Sequence, residues 1–286
     1  MSMRNETAVI TGATSGIGKK MAEVFLREGC KVVVSSRNPA KVDEVTADFK
    51  KQFGENVIGI PCDVADIEQC KALAKKAIDA LGTIRILIAN AGIEKRYGPF
   101  DHVDPDTMAA DAAAIIGTNL LGTMHVISAV LPRMVAKGYG RIITLSGAGA
   151  DRPMPNLTIY SASKGGVVAF SKCLAAEFKE GGKDIAINIF QPGMQRTGLT
   201  DAPVLVEGWR DENAFKKEYE VILQYLASND LADVVRKVIP FVLPSCKANG
   251  KLFLGFSLFK LIRNATKLQK ALKQMKEGKN NVTTTG

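Results

Sequence analysis

The sequence predicts an α/β protein: a single doubly wound parallel sheet with helices on both faces and an added basic helix at the C-terminus. Three observations predict it. The strand-like stretches are continuously apolar rather than alternating, the pattern of strands buried on both faces. Between them lie stretches with apolar residues at helical spacing. A glycine-rich turn joins the first strand to the first helix. With 286 residues, 46% of them hydrophobic, the chain suits one large core better than two full-sized domains.

Thr7-Ala8-Val9-Ile10 reads as the first strand, and TGATSGIG follows it. In KKMAEVFLREG, Met21, Ala22, Val24 and Phe25 form a helical stripe that stops at Gly29. Lys31-Val32-Val33-Val34-Ser35 is a second strand, PAKVDEVTADFKKQFG a helix and Val57-Ile58-Gly59-Ile60 a third strand. DIEQCKALAKKAIDALG then leads into the strand Ile84-Arg85-Ile86-Leu87-Ile88. RIITLS, the helix SASKGGVVAFSKCLAAEFKEG and IAINIF follow, and residues 249–255 read as the last strand. No linker is expected before about residue 255, so residues 1–256 form the folded domain and 257–286 an extension.

That extension carries the charge. The chain is +9 overall, yet residues 256–286 hold seven basic residues and one acid, Glu277. Apolar residues at 258, 261, 262, 265, 268, 272 and 275 span an arc of roughly 140°, with Lys260, Arg263, Lys267 and Lys270 opposite. This is a basic amphipathic helix; EGKNNVTTTG beyond it has nothing to bury and is expected to be disordered. Three roles fit it: packing on a partner subunit, lying on an anionic membrane surface, or docking an acidic carrier or CoA-linked substrate. Nucleic acid is not expected, because the remaining residues are near neutral and no nucleic-acid motif is present.

Five scattered Cys and two His fit neither a disulfide framework nor a metal site, and point to a reducing compartment. The N-terminus shows no signal-peptide pattern, and no apolar run is expected to reach the ~20 residues of a bilayer span. A cytoplasmic protein, at most peripheral to a membrane, is the expectation.

The turn Gly12-Ala13-Thr14-Ser15-Gly16-Ile17-Gly18 opens a helix, where free N–H groups and a partial positive charge suit a pyrophosphate. At the end of the second strand stands Ser35-Ser36-Arg37-Asn38, with no carboxylate to hold a ribose 2′-hydroxyl. Arg37 can pair with a 2′-phosphate, aided by Ser36 and Ser15, so NADP(H) is expected over NAD(H); the alternative is a surface arginine in a turn.

Taken together, these residues resemble the short-chain dehydrogenase/reductase family, which has a Rossmann-like fold. TGATSGIG (11–18) looks like its TGxxxGxG motif, and Ala89-Asn90-Ala91-Gly92 its NNAG motif with the first Asn replaced. Cys62-Asp63-Val64 is similar to its segment beside the adenine, and Thr118-Asn119-Leu120 to its catalytic-Asn segment. Tyr160 to Lys164 resembles YxxxK, and Pro192-Gly193-Met194-Gln195-Arg196-Thr197 resembles the PGxxxT nicotinamide loop.

The resemblance implies interconversion of a carbonyl and a secondary alcohol, in a homodimer or homotetramer. Tyr160 would be the acid/base, with Lys164 lowering its pKa and holding the nicotinamide ribose. Asn119 would anchor a water, and Pro192, Gly193 and Thr197 would border the carboxamide. The family's Ser stands thirteen residues before the Tyr, which here is Gly147; Ser146 lies one position earlier. A bulge at the Gly-Ala-Gly run could bring Ser146 to the site; otherwise a backbone N–H near Gly147, or Thr158, would bind the substrate oxygen. Trp209, Phe215, Tyr219 and Tyr225 suggest a hydrophobic substrate. A 3-oxoacyl thioester reductase is the enzymatic alternative, and a non-catalytic NADP(H)-binding regulator or membrane-associated scaffold the alternative of another class.

Overall fold

A computed structural model describes residues 2–198, 204–228 and 230–282, with side chains through Met275. β1 (Thr7–Thr11), β2 (Lys31–Ser35), β3 (Val57–Gly59) and β4 (Ile86–Ala89) occur close to where the apolar runs place them. Between them lie α1 (Gly16–Arg27), α2 (Pro39–Phe53) and α3 (Ile67–Leu81). β5 (Arg96–Tyr97) precedes α4 (Pro105–Ile116), and a π-helical turn, Gly117–Leu121, leads into α5 (Gly122–Lys137). β6 (Tyr139–Leu145), α6 (Thr158–Glu180) and β7 (Asp184–Gln191) carry the chain to β8 (Val204–Leu205). The remainder is α7 (Glu212–Leu226), α8 (Leu231–Arg236), α9 (Ile239–Val242), β9 (Leu252–Leu254) and α10 (Leu258–Val282).

Seven strands form one parallel sheet in the order β3-β2-β1-β4-β6-β7-β9. The order reverses between β1 and β4, so a crevice opens beyond their C-terminal ends, where such sheets bind ligands. Alternate residues feed two cores. Ile10, Val34 and Ile88 join the layer against α1 and α8, whereas Val9, Val33 and Leu87 join the layer against α3, α5 and α6. Each such side chain contributes roughly 1.5–3 kcal/mol when fully buried, which is why the middle positions of these strands are apolar. A separate two-stranded sheet pairs β5 with β8 and ties the loop after β4 to the segment after β7.

Three features differ from the sequence expectations. Pro105–Lys137 is one helical run of 33 residues, long and apolar enough by composition to span a membrane. Val126, Ile127, Val130 and Met134 of this run lie in the core against α3, so its second half packs into the core of the domain. The C-terminal helix does not stop near Met275 but continues to Val282; residues 283–286 of the expected disordered end lie outside the described residues. Its covered stripe lies against α7, with Leu268 buried and the Asn264 amide donating to Tyr225 O at 2.9 Å.

Candidate active site

The glycine turn is held from below. Asn90 Nδ2 donates to Thr11 O (2.8 Å) and Gly12 O (3.1 Å), and Thr11 Oγ1 accepts the Asn90 and Ala91 N–H groups, each at 3.1 Å. The turn is tight enough that a Cβ on Gly18 would sit 2.4 Å from both Gly12 O and Asn90 Nδ2. Above it, α1 presents an open N-terminus. Ser15 stands at its N-cap with no side-chain cap bond, and no acid lies in its first turn. Helices α2, α3, α4, α7 and α8 instead have Asn38, Asp66, Asp104, Asp211 and Asp230 accepting first-turn N–H groups. The first-turn amides of α1 therefore remain free of side-chain caps and suit an anion.

A cleft of about 400 Å³ runs over this turn. Gly12, Thr14, Ser15, Gly16, Ile17 and Gly18 form its floor, and Asn90, Ala91 and Gly92 one wall. At one end stand Ser36, Arg37, Asp63 and Val64, all expected from sequence, together with Cys62 and two residues that were not, Asn38 and Lys41. Arg37 is exposed and in no ion pair among the described residues. Lys41 lies one helical turn along, so two cations flank the positive N-terminus of α2. The signal was legible: Arg37 and Lys41 are four apart, across a helix start marked by Asn38-Pro39.

Ser146, Tyr160, Lys164, Pro192 and Thr197 line the other end. Lys164 is buried and donates from Nζ to Leu145 O at 3.2 Å, with Nζ 5.8 Å from the centre of the Tyr160 ring. Burial lowers its pKa to about 8. The Tyr160 phenol is pushed up, first by burial and then by the Glu94 carboxylate. Burial and Glu94, rather than the Lys164 cation expected from sequence, set the direction of this shift.

Ser146 reaches the cleft without a bulge. Thr144, two residues earlier, bonds Ser171 Oγ on α6 at 2.8 Å, so strand alternation gives Ser146 the face that Thr144 has, while it is the Cβ direction of Gly147 that meets the Tyr160 phenol. β6 pairs regularly with β7 through Leu145, and the Ser146 N–H donates to Phe190 O at 2.9 Å. The Ser146 hydroxyl is buried without a hydrogen-bond partner. A polar atom left so at the wall of a cleft is placed to meet a ligand. Thr158, the other candidate, lines a smaller cavity on the far side of Tyr160.

Two expected residues lie off the cleft. Asn119, fully buried in the π-helical turn, accepts the Ile93 N–H at 2.7 Å and donates to Ile93 O and Ser163 Oγ, each at 3.0 Å. Both of its amide hydrogens are thus committed to protein, and the residue fixes the loop that precedes Glu94. A Cβ on Gly193 would meet the Phe256 ring at 2.6 Å rather than the cleft. The aromatic residues also differ from expectation. Trp209, Phe215 and Tyr219 stack around Tyr97, with ring centres 5.2–6.4 Å from it, and the smaller cavity is walled by Phe100, Val103, Ile115, Leu157, Ile159 and Val206. An Arg96–Asp111 ion pair closes its rim.

The uncapped amides of α1, the cationic end of the cleft and the unpartnered Ser146 hydroxyl at its other end fit an extended nicotinamide dinucleotide with a substrate oxygen beside Tyr160. Comparison with known proteins agrees with this geometry. The family model described as short chain dehydrogenase matches residues 6–204. An uncharacterized oxidoreductase of Bacillus subtilis is 32% identical over 245 residues, covering 80% of this chain and 86% of the relative. Dehydrogenase/reductase SDR family member 4 of Sus scrofa is 32% identical over 217 residues, covering 76% and 73%. Among solved structures, a 3-ketoacyl-(acyl-carrier-protein) reductase of Brucella melitensis complexed with NADH superposes with a TM-score of 0.73 at 26% identity, covering 88% of this chain and 97% of that one. The chain belongs to the short-chain dehydrogenase/reductase family of oxidoreductases, with its Rossmann-like fold and nicotinamide-dinucleotide cleft.

Proposed function

We propose that this protein is an NADP(H)-dependent oxidoreductase that interconverts a hydrophobic ketone and its secondary alcohol. One observation carries the reading. A single cleft has Arg37 and Lys41 at one end and Ser146, Tyr160 and Lys164 at the other. The cationic end supports a 2′-phosphate, since no carboxylate at the end of β2 opposes it. The apolar side chains around the cavity of about 30 Å³ beside Tyr160 support a small apolar group of the substrate next to the phenol.

When bound, the dinucleotide supplies or accepts the hydride. The chain's own groups handle the oxygen. Tyr160, raised in pKa and therefore protonated at neutral pH, donates its phenolic proton to the carbonyl oxygen during reduction. Ser146 donates a hydrogen bond to that oxygen and shares its developing charge. Lys164, anchored on Leu145 O, holds the ribose with its remaining donors. Asn119 braces the loop from Ile93, which keeps the substrate side of Tyr160 in shape.

The likeness to the Brucella reductase favours a second reading, in which the ketone is a 3-oxoacyl thioester. A cytoplasmic homo-oligomer completes the proposal; the mass of the purified protein by light scattering tests its assembly. For the reaction, the rate of NADPH oxidation is measured against ketones, aldehydes and 3-oxoacyl thioesters, with Tyr160→Phe as control. Turnover absent from the control supports the reading and identifies the substrate class. NADPH binding with no turnover on any carbonyl overturns it in favour of a regulator.

A further inference from the structure

We propose that the first two turns of α10 form a docking surface for an anionic lipid membrane. At about 100° per residue, Leu261, Asn264, Ala265, Leu268, Ala271, Leu272 and Met275 share the face of α10 turned toward α7, and all are buried or half-buried. The subunit-packing role suggested by the sequence therefore loses most of its apolar stripe to this intramolecular contact.

Three apolar side chains remain outside. Leu258 is 50% exposed, Phe259 75% and Ile262 68%. Only four other large hydrophobic residues among those described are comparably exposed, and these are scattered along the chain at 100, 121, 135 and 204. Three within five residues of one helix make a contiguous apolar patch.

Charge decides what covers it. Lys260, Arg263, Lys267 and Lys270 occupy the adjoining outer sector of the helix, and none is in an ion pair among the described residues. No acid occurs between residues 256 and 275. A second copy seated symmetrically on the patch would bring like charges together on the rim of the contact. An anionic bilayer surface accepts both halves of the pattern: phosphates and carboxylates meet the cations, while Phe259, Ile262 and Leu258 enter the headgroup–acyl boundary.

The test is co-sedimentation of the full-length protein with vesicles of phosphatidylcholine alone and of phosphatidylcholine mixed with phosphatidylserine. The variants are Phe259→Ser/Ile262→Ser and Lys260→Glu/Arg263→Glu, each checked for NADPH binding and for mass by light scattering. All four positions are exposed, so the fold should survive. Binding to the anionic vesicles, weakened by high salt and lowered roughly tenfold or more in the apolar double variant, supports the proposal. Each cation near an anionic surface raises affinity about fivefold, so the charge-reversed variant should lose at least about 25-fold. No vesicle binding by the wild type overturns the proposal. So does binding that the apolar variant leaves unchanged, which reduces the effect to diffuse charge. A fall in oligomer mass in the apolar variant with vesicle binding intact assigns the patch to a second copy and overturns it as well.

Discussion

A side chain at residue 147 would contend with Tyr160 for the same space. A Cβ added to Gly147 lies 2.6 Å from the phenol oxygen and 3.0 Å from Cε1, and 3.1 Å from Lys164 Cγ. The position where the family carries its Ser is therefore the seat of the tyrosine in this chain, and the hydroxyl stands one residue earlier. Gly147→Ala should push the phenol aside by about 1 Å, which costs roughly 10²-fold in kcat when a reacting group is misplaced. NADPH affinity should fall less than kcat, because the added Cβ reaches Lys164 only at Cγ, away from the ammonium that would meet the ribose. Steady-state kinetics with separate cofactor titration checks both parts, and an alanine variant of wild-type kcat refutes the crowding.

Ser146→Ala should separate activity from stability. The hydroxyl is buried without a partner, so removing it relieves a desolvated polar group and leaves thermal stability unchanged or raised. If the same hydroxyl binds the substrate oxygen, its loss costs about 10²–10³ in kcat, the usual effect of deleting one such donor. A variant that keeps full turnover shows instead that a backbone N–H or Thr158 does the work.

Legibility followed the strength of the local pattern. β1, β2 and the glycine turn could be read because each is a short apolar run ended by glycine or a cap residue. The run 105–137 could not. It is rich in Ala, its apolar residues show no strong period, and Gly117, Gly122 and Pro132 interrupt it. At the site, the motif residues could be placed but not their contacts. The one-residue shift of the Ser suggested a bulge because spacing from the Tyr is counted along the chain, whereas strand parity with Thr144 sets direction. The sign of the Tyr160 shift was missed for a related reason: burial and Glu94 are properties of the fold, and neither is visible in the YxxxK spacing.

Coenzyme choice should reside in Arg37 and Lys41. Arg37→Asp replaces a cation by a carboxylate at the start of α2, where it repels a 2′-phosphate and can accept from a 2′-hydroxyl. NADPH affinity should fall roughly a hundredfold and NADH affinity should rise. Lys41→Ala should produce a smaller loss for NADPH alone. Fluorescence titration of both coenzymes decides; equal effects on the two would remove the 2′-phosphate from the account.

Lys164 predicts opposite trends for activity and stability. Its folded pKa of about 8 lies below the ordinary 10.5 because burial disfavours the charge. As pH rises through about 8, the cation that holds the ribose is lost, and kcat/KM for NADPH should fall. Between about pH 8 and 10.5 the unfolded chain binds the extra proton, so this group's contribution to stability rises with pH. Lys164→Met should flatten both dependences, read from pH–rate profiles and thermal melts of the coenzyme-free protein.

Glu94 should set the direction in which Tyr160 works best. Burial raises the pKa of its carboxyl to about 7, and once ionised it raises that of Tyr160. Alcohol oxidation needs the phenolate, so the charge on Glu94 opposes it and favours carbonyl reduction. Glu94→Gln should move the onset of alcohol oxidation to lower pH while leaving NADPH affinity intact. The same variant should alter stability with a defined sign. A carboxyl whose folded pKa exceeds its unfolded value loses its contribution as pH rises through the folded value. The melting temperature of Glu94→Gln should therefore pull ahead of wild type between about pH 4.5 and 7 and keep a constant lead above that. An oxidation profile unmoved by the substitution would mean that Glu94 acts on folding alone and leaves the phenol to its burial.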